Sequence, residues 1–189
     1  MKNGKARRDA ISKHQQFKIF LLALSCGFRR AEIDSLQWEQ LDFERNQIHL
    51  YENEHTRLKS ETSQRTVDVD PMVMELFSNW RESESGVFVV RSDIGFSGKS
   101  HATFYRCQKH FKCLILWLRR NGIESQKPLH ELRKEYGSLV CMKYGLFEAS
   151  SALGHSSIQI TAASYLDRKV NTAIRLFESR MAWEGRDSE

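Results

Sequence analysis

Two stretches of this chain, residues 47–51 (QIHLY) and 65–69 (RTVDV), alternate apolar and polar side chains like half-buried strands. A polar segment rich in Glu, Lys, Ser and Thr joins them, as the turn of a β-hairpin would. Elsewhere apolar residues recur mostly at helical spacing. A chain patterned this way cannot build a large sheet. It reads as an α+β fold, mainly α-helical, with one small antiparallel β-sheet near its N-terminal part.

The helical segments follow from apolar period and breakers. Phe17, Phe20, Leu21 and Leu24 mark a helix over residues 12–25, with Gly27 as its stop signal. A short helix is expected over residues 30–36, and residues 38–43 form a lead-in strand or turn. The only prolines, Pro71 and Pro128, sit where helices should begin. Pro71 opens a helix to about residue 80, residues 87–90 form a buried extended piece, and residues 91–100 a loop. Further helices are expected over residues 101–121, 130–144, 146–153, 157–165 and 171–183. Residues 1–11 read as a basic lead-in or linker remnant, residues 12–168 as one domain, and residues 169–189 as a C-terminal helix and tail.

The formal charge of +5 is unevenly spread. Residues 101–145 carry nine Lys or Arg against three acids, and the first fifteen residues five against one. Such local excess suits a polyanion such as DNA, although a solvated helix face produces the same count. Eleven Phe and four Trp exclude a disordered chain. Cys26, Cys107, Cys113 and Cys141 form no CxxC pair and read as reduced core thiols of a cytoplasmic protein. The apolar run from Phe17 to Leu24 is interrupted by Lys18 and too short to cross a bilayer. No His, Cys, Asp or Glu cluster has metal-ligand spacing, so neither metal nor other cofactor is expected.

Cleaving a phosphodiester without a metal requires fixed cations for the charge that develops on phosphoryl oxygens. Arginine suits this best, being planar, bidentate and permanently charged. A nucleophile and a proton donor for the leaving oxygen complete the set. The sequence carries these residue types in one order: Cys26-Gly27-Phe28-Arg29-Arg30-Ala31-Glu32, then Lys59, then His130-Glu131-Leu132-Arg133, then Leu153-Gly154-His155 with Tyr165 ten residues further on. Taken singly, each has an ordinary reading: Arg29 as a surface arginine, Lys59 as a solvated loop lysine, His155 as a cap, Tyr165 as a helix-end aromatic.

Together they resemble the tyrosine recombinase (phage integrase) family. CGFRRAEI resembles its Gly-x-Arg-x-x-Glu box, HELR its His-x-x-Arg box, LGHSSIQITAASY its Leu-Gly-His…Tyr box, and LKSETSQRTVDV its lysine hairpin. The spacing from His155 to Tyr165 is one residue longer than is common in that family.

The resemblance implies Tyr165 as nucleophile and a 3′-phosphotyrosyl intermediate. It implies Lys59 as the acid for the 5′ oxygen, and Arg29, His130, Arg133 and His155 as transition-state ligands. Glu32 is then a supporting acid, and Arg30, Arg57 and Lys134 DNA-contacting bases, Arg30 facing solvent or DNA. It implies double-stranded DNA as partner, a homotetramer acting on two duplexes, and a C-terminal helix that docks on a neighbour or on its own domain. It also implies a separate N-terminal DNA clamp, for which the sequence has no room before Ser12. A type IB topoisomerase, an inactive DNA-binding remnant of a mobile element and a plain helical interaction domain are the other readings.

Overall fold

The structure, a computed structural model, describes residues 2–56, 63–95 and 104–165, and side chains from residue 9 to residue 163 within those ranges. The first helix, α1 (Lys2–Ser25), reaches back to Lys2 and takes in most of the basic lead-in. Lys, Ala and Arg, which dominate this stretch, are strong helix formers. The buried stripe of α1 also differs from the expected one. Gln15, Lys18, Ile19, Leu22, Ala23 and Cys26 are buried, at i, i+3, i+4, i+7, i+8 and i+11, while Phe17 is exposed. Lys18 is fully buried, and its Nζ donates to Glu84 (2.7 Å) and to the Val89 carbonyl (3.0 Å).

Gly27 turns the chain into α2 (Arg30–Ser35). A single 3-10 turn, Trp38–Gln40, leads into β1 (Leu41–Asp42), which pairs antiparallel with β2 (Gln47–Leu50). Strand β3 (Arg65–Asp68) pairs antiparallel with β2, Ile48 opposite Val67 and Leu50 opposite Arg65. The hairpin is as expected, and the lead-in supplies its third strand. Helix α3 (Pro71–Ser83) starts with proline at its first turn and Asp70 accepting from the Met72 amide (2.8 Å). The extended piece after it bridges Phe88 to Gln37.

Helix α4 (Gln108–Arg120) starts later than the pattern predicts. The Asp34 carboxylate accepts from the Arg106 (2.9 Å) and Cys107 (2.7 Å) amides, which holds this approach against α2 outside a helix. Helices α5 (Pro128–Tyr144), α6 (Leu146–Leu153) and α7 (Ile158–Tyr165) follow closely as expected. One core of α1, α2, sheet, α3, α4 and α5 side chains includes Ile19, Leu22, Ile48, Phe77, Phe111 and Leu132. The cysteines are free, Cys26 and Cys107 being buried. Among the described residues, no helix is long and apolar enough to cross a membrane. The expected helix over 171–183 lies outside the described residues.

Gly27 leaves no room for a side chain. Its φ is +64°, and a Cβ there would stand 2.3 Å from Tyr136 Cδ1. Gly27→Ala is therefore expected to destabilise the fold by about 2–3 kcal/mol, from left-handed backbone strain and a forced shift of the Tyr136 ring. Urea unfolding at constant m-value measures it. A Tyr136→Ala background should recover part of the loss by removing the ring.

Candidate active site

The site is organised around the end of α6. Gly154 is left-handed (φ 60°), its amide donates to Ser151 O (2.9 Å), and the His155 amide donates to Ser150 O (3.1 Å). That is the Schellman pattern, and it satisfies two of the orphan carbonyls of a helix end. The next three carbonyls are met by three arginines from three different segments. Arg65 Nε donates to Ala152 O (2.9 Å), Arg133 Nη2 to Leu153 O (2.7 Å), and Arg29 Nη2 to Gly154 O (2.8 Å). Guanidiniums are well placed there, at the negative end of a helix. Arg133 Nη1 also donates to the Gly27 carbonyl, which ties the glycine turn to α5.

Behind these arginines lies one carboxylate, Glu32, only 4% exposed. It accepts from Arg29 Nη1 (2.7 Å) and from the Arg29 amide (2.7 Å). Arg65 grips both its oxygens (3.0 and 3.1 Å), and Arg133 stands 4.0 Å away. Burial pushes this carboxyl up, but Arg65 and Arg29 outweigh burial and hold it at about 2. Three guanidiniums against one carboxylate leave surplus positive charge at the cleft, the electrostatic condition for binding a phosphodiester.

His130 and Arg133 lie on one face of the first turns of α5, and His155 follows the α6 cap. Arg29, Arg133, His130 and His155 line one cleft of about 360 Å³, together with Ser63, Gly154, Ser156 and Ile160. His155 Nδ1 is paired with the buried Thr161 hydroxyl (2.7 Å), so Nε2 is the nitrogen left for a ligand. Burial, then Arg133, Arg29, Arg65 and His130, pull the His155 pKa down to about 4. Burial, then Arg133 and Lys134, lower that of His130.

Both imidazoles are therefore neutral near pH 7, and the cleft owes its charge to arginine. His155 should titrate by NMR with a midpoint of about 4. Because its folded pKa is depressed, the stability linked to it is present above about 6.5 and is lost as pH falls towards 4. A midpoint near 6.5 would contradict the cationic surroundings described.

The sequence model of the phage integrase family matches residues 4–172. The chain belongs to the phage integrase family. A tyrosine recombinase XerC-like protein of Caldanaerobacter subterraneus subsp. tengcongensis is 25% identical, the match covering 84% of this chain and 47% of that protein. The chain thus spans about half the length of this curated relative. Its fold resembles that of the Tn1549 transposon integrase in complex with circular intermediate DNA, at TM-score 0.56 and 17% identity, covering 97% of this chain and 66% of that one. It also resembles XerA recombinase, at TM-score 0.56 and 15% identity, covering 96% and 61%. The catalytic domain of bacteriophage HP1 integrase aligns at TM-score 0.53 and 18% identity, covering 87% and 79%. At these identities the structural likeness is one of fold, the mainly helical catalytic-domain fold of tyrosine recombinases with its small sheet.

For this integrase-family chain, four of the expected site residues converge and Glu32 supports them from behind. The Arg30 guanidinium lies over the rings of Tyr105 (5.4 Å) and Phe111 (5.5 Å). It is half-buried on the wall of a second cleft beside Arg29 and His130, since stacking on two faces favours it over full hydration. Lys134 is exposed and donates to Glu131 (3.1 Å). Lys59 and Arg57 lie outside the described residues. Tyr165 closes α7, which begins just after the His155 turn, and its side chain lies outside the described ones. Arg65 was not singled out from sequence. Its one legible signal was a long cation opening a strand whose opposite neighbour, Leu50, is buried.

Proposed function

We propose that this chain is the catalytic domain of a tyrosine site-specific recombinase, cleaving and rejoining double-stranded DNA through a 3′-phosphotyrosyl intermediate. The observation that carries the reading is the cleft in which Arg29 meets Arg133, His130 and His155, all more than a hundred residues further along the chain. Such a cleft binds a phosphodiester and stabilises the charge that its cleavage develops.

In this reading the Tyr165 phenol oxygen bonds to phosphorus as the P–O5′ bond breaks. Lys59 gives a proton to the leaving O5′. The phenol, with an ordinary pKa near 10, loses its proton as it attacks. Neutral His130, its pKa lowered in the cleft, is the candidate acceptor. The 5′-hydroxyl of a partner strand then attacks the phosphotyrosine, breaking the Tyr–P bond and returning the proton to the phenol oxygen. Bond energy is retained in the adduct, so no nucleotide cofactor is needed. The assembly is a homotetramer on two duplexes, acting in the cytoplasm and supplied with further DNA contacts by Arg30, Arg57 and Lys134.

The test is trapping. Nicked duplexes, including ends of the chain's own genetic element, are incubated with the protein and run on a denaturing gel. A covalent protein–DNA band is expected, with peptide mapping placing the DNA 3′ end on Tyr165. DNA binding without an adduct, by this chain and by a longer one carrying an N-terminal clamp, would favour the inactive remnant. Plasmid relaxation without recombinant products would favour the topoisomerase.

A further inference from the structure

Arg65 lies in the hairpin segment that follows Lys59 and has no role assigned from sequence, yet its contacts reach the same turn. It opens β3, and its side chain is 6% exposed. Both Nη atoms clamp Glu32, while Nε donates to Ala152 O and Nη1 also donates to Ser63 O (3.0 Å). Its guanidinium lies 5.6 Å over the Phe28 ring, next to the glycine turn. One planar group therefore sets the separation between the Glu32 carboxylate and the end of α6.

We propose that Arg65 is a positioning residue for strand cleavage, fixing the turn at residues 152–155 and thereby His155 against Arg29 and Arg133. This rests on the recombinase reading. Arg133 and Arg29, which hold the Leu153 and Gly154 carbonyls, line the cleft and must also meet substrate. Arg65, which does not line that cleft, ties the Ala152 carbonyl of the same helix end. Lysine cannot replace it, because an ammonium has neither the fork for two carboxylate oxygens nor the sideways Nε donor.

The experiment compares the wild type with Arg65→Lys and Arg65→Ala well below their melting temperatures. Arg65→Lys should slow single-turnover cleavage of nicked duplex by about 10²-fold, the effect of a misplacement of about 1 Å, with DNA affinity held within about twofold. In a His155→Ala background the same change should cost less than about threefold, because both act through one turn. Without DNA, amide exchange at Gly154 and His155 should quicken in Arg65→Lys while the α1 amides stay protected.

An unchanged cleavage rate at a lowered melting temperature would overturn the proposal, since Arg65 would then be structural only. Fully multiplicative losses with His155→Ala, or exchange that rises uniformly, would overturn it too. A wild type that forms no adduct sinks the recombinase reading instead, and the exchange measurement still decides whether Arg65 fixes the turn.

Discussion

Arg133→Ala is expected to lower single-turnover strand cleavage by about 10³-fold, the scale of losing a preorganised charged donor at a developing oxyanion. Arg133 is only 3% exposed and spans two backbone carbonyls, Gly27 O and Leu153 O, before it meets any substrate. Its truncation therefore also costs stability, about 1–3 kcal/mol for carbonyls left without partners. The two losses are separable. Arg133→Lys keeps a cation near Glu32 but cannot reach both carbonyls and a phosphate oxygen with fixed geometry. It should recover part of the stability and little of the rate, remaining about 10²-fold slow. Stopped assays on a nicked duplex give the rate and urea melts the stability. If Arg133→Lys cleaves within about threefold of wild type, a point charge suffices and the fork geometry has no catalytic role.

That Arg133 lies beside His130 was legible, because the HELR spacing puts both on one helix face after a proline start, and both line the same cleft. The hairpin was legible for the same kind of reason: period-two alternation is local. What escaped were residues whose environment comes from distant segments. Lys18 looks like an interruption in an apolar run. In the fold it occupies the buried stripe of α1, because Glu84 and the Val89 carbonyl meet its ammonium and Trp38 lies 4.9 Å away. Without Glu84, which lies far along the chain, burial of that charge would be prohibitive. No window around Lys18 contains that information.

Arg65 escaped in the same way, since its partners are Glu32 and the Ala152 carbonyl, remote on either side. The start of α4 was misplaced because Asp34, on α2, takes the amides of Arg106 and Cys107. In each case a buried polar group finds a partner across the fold, and sequence periodicity carries the apolar half of the pattern only. The Leu-Gly-His turn lies between these extremes. Its glycine announces a helix stop, but its three arginine-bound carbonyls are visible only in space.

Glu32→Gln should be the most destabilising change in the site, by about 3–5 kcal/mol, because it strands buried guanidiniums without their counter-charge. Arg65, 6% exposed, loses both arms of its clamp, and Arg29 loses the partner of its Nη1. The pH dependence distinguishes lost charge from lost packing. The Glu32 carboxyl is held at about 2 in the fold against 4.5 for an ordinary glutamate, a depression worth about 3 kcal/mol. Because the folded value is the lower one, that stability is complete above about pH 4.5 and disappears as pH falls towards 2. Urea unfolding of wild type and Glu32→Gln across pH 7 to 2.5 should give curves that converge on the acid side. The gap between them should begin to close below about 4.5. A gap that stayed constant through that window would mean the amide fails by shape and hydrogen bonding, and that the arginines at the end of α6 are held by the helix carbonyls without the help of Glu32.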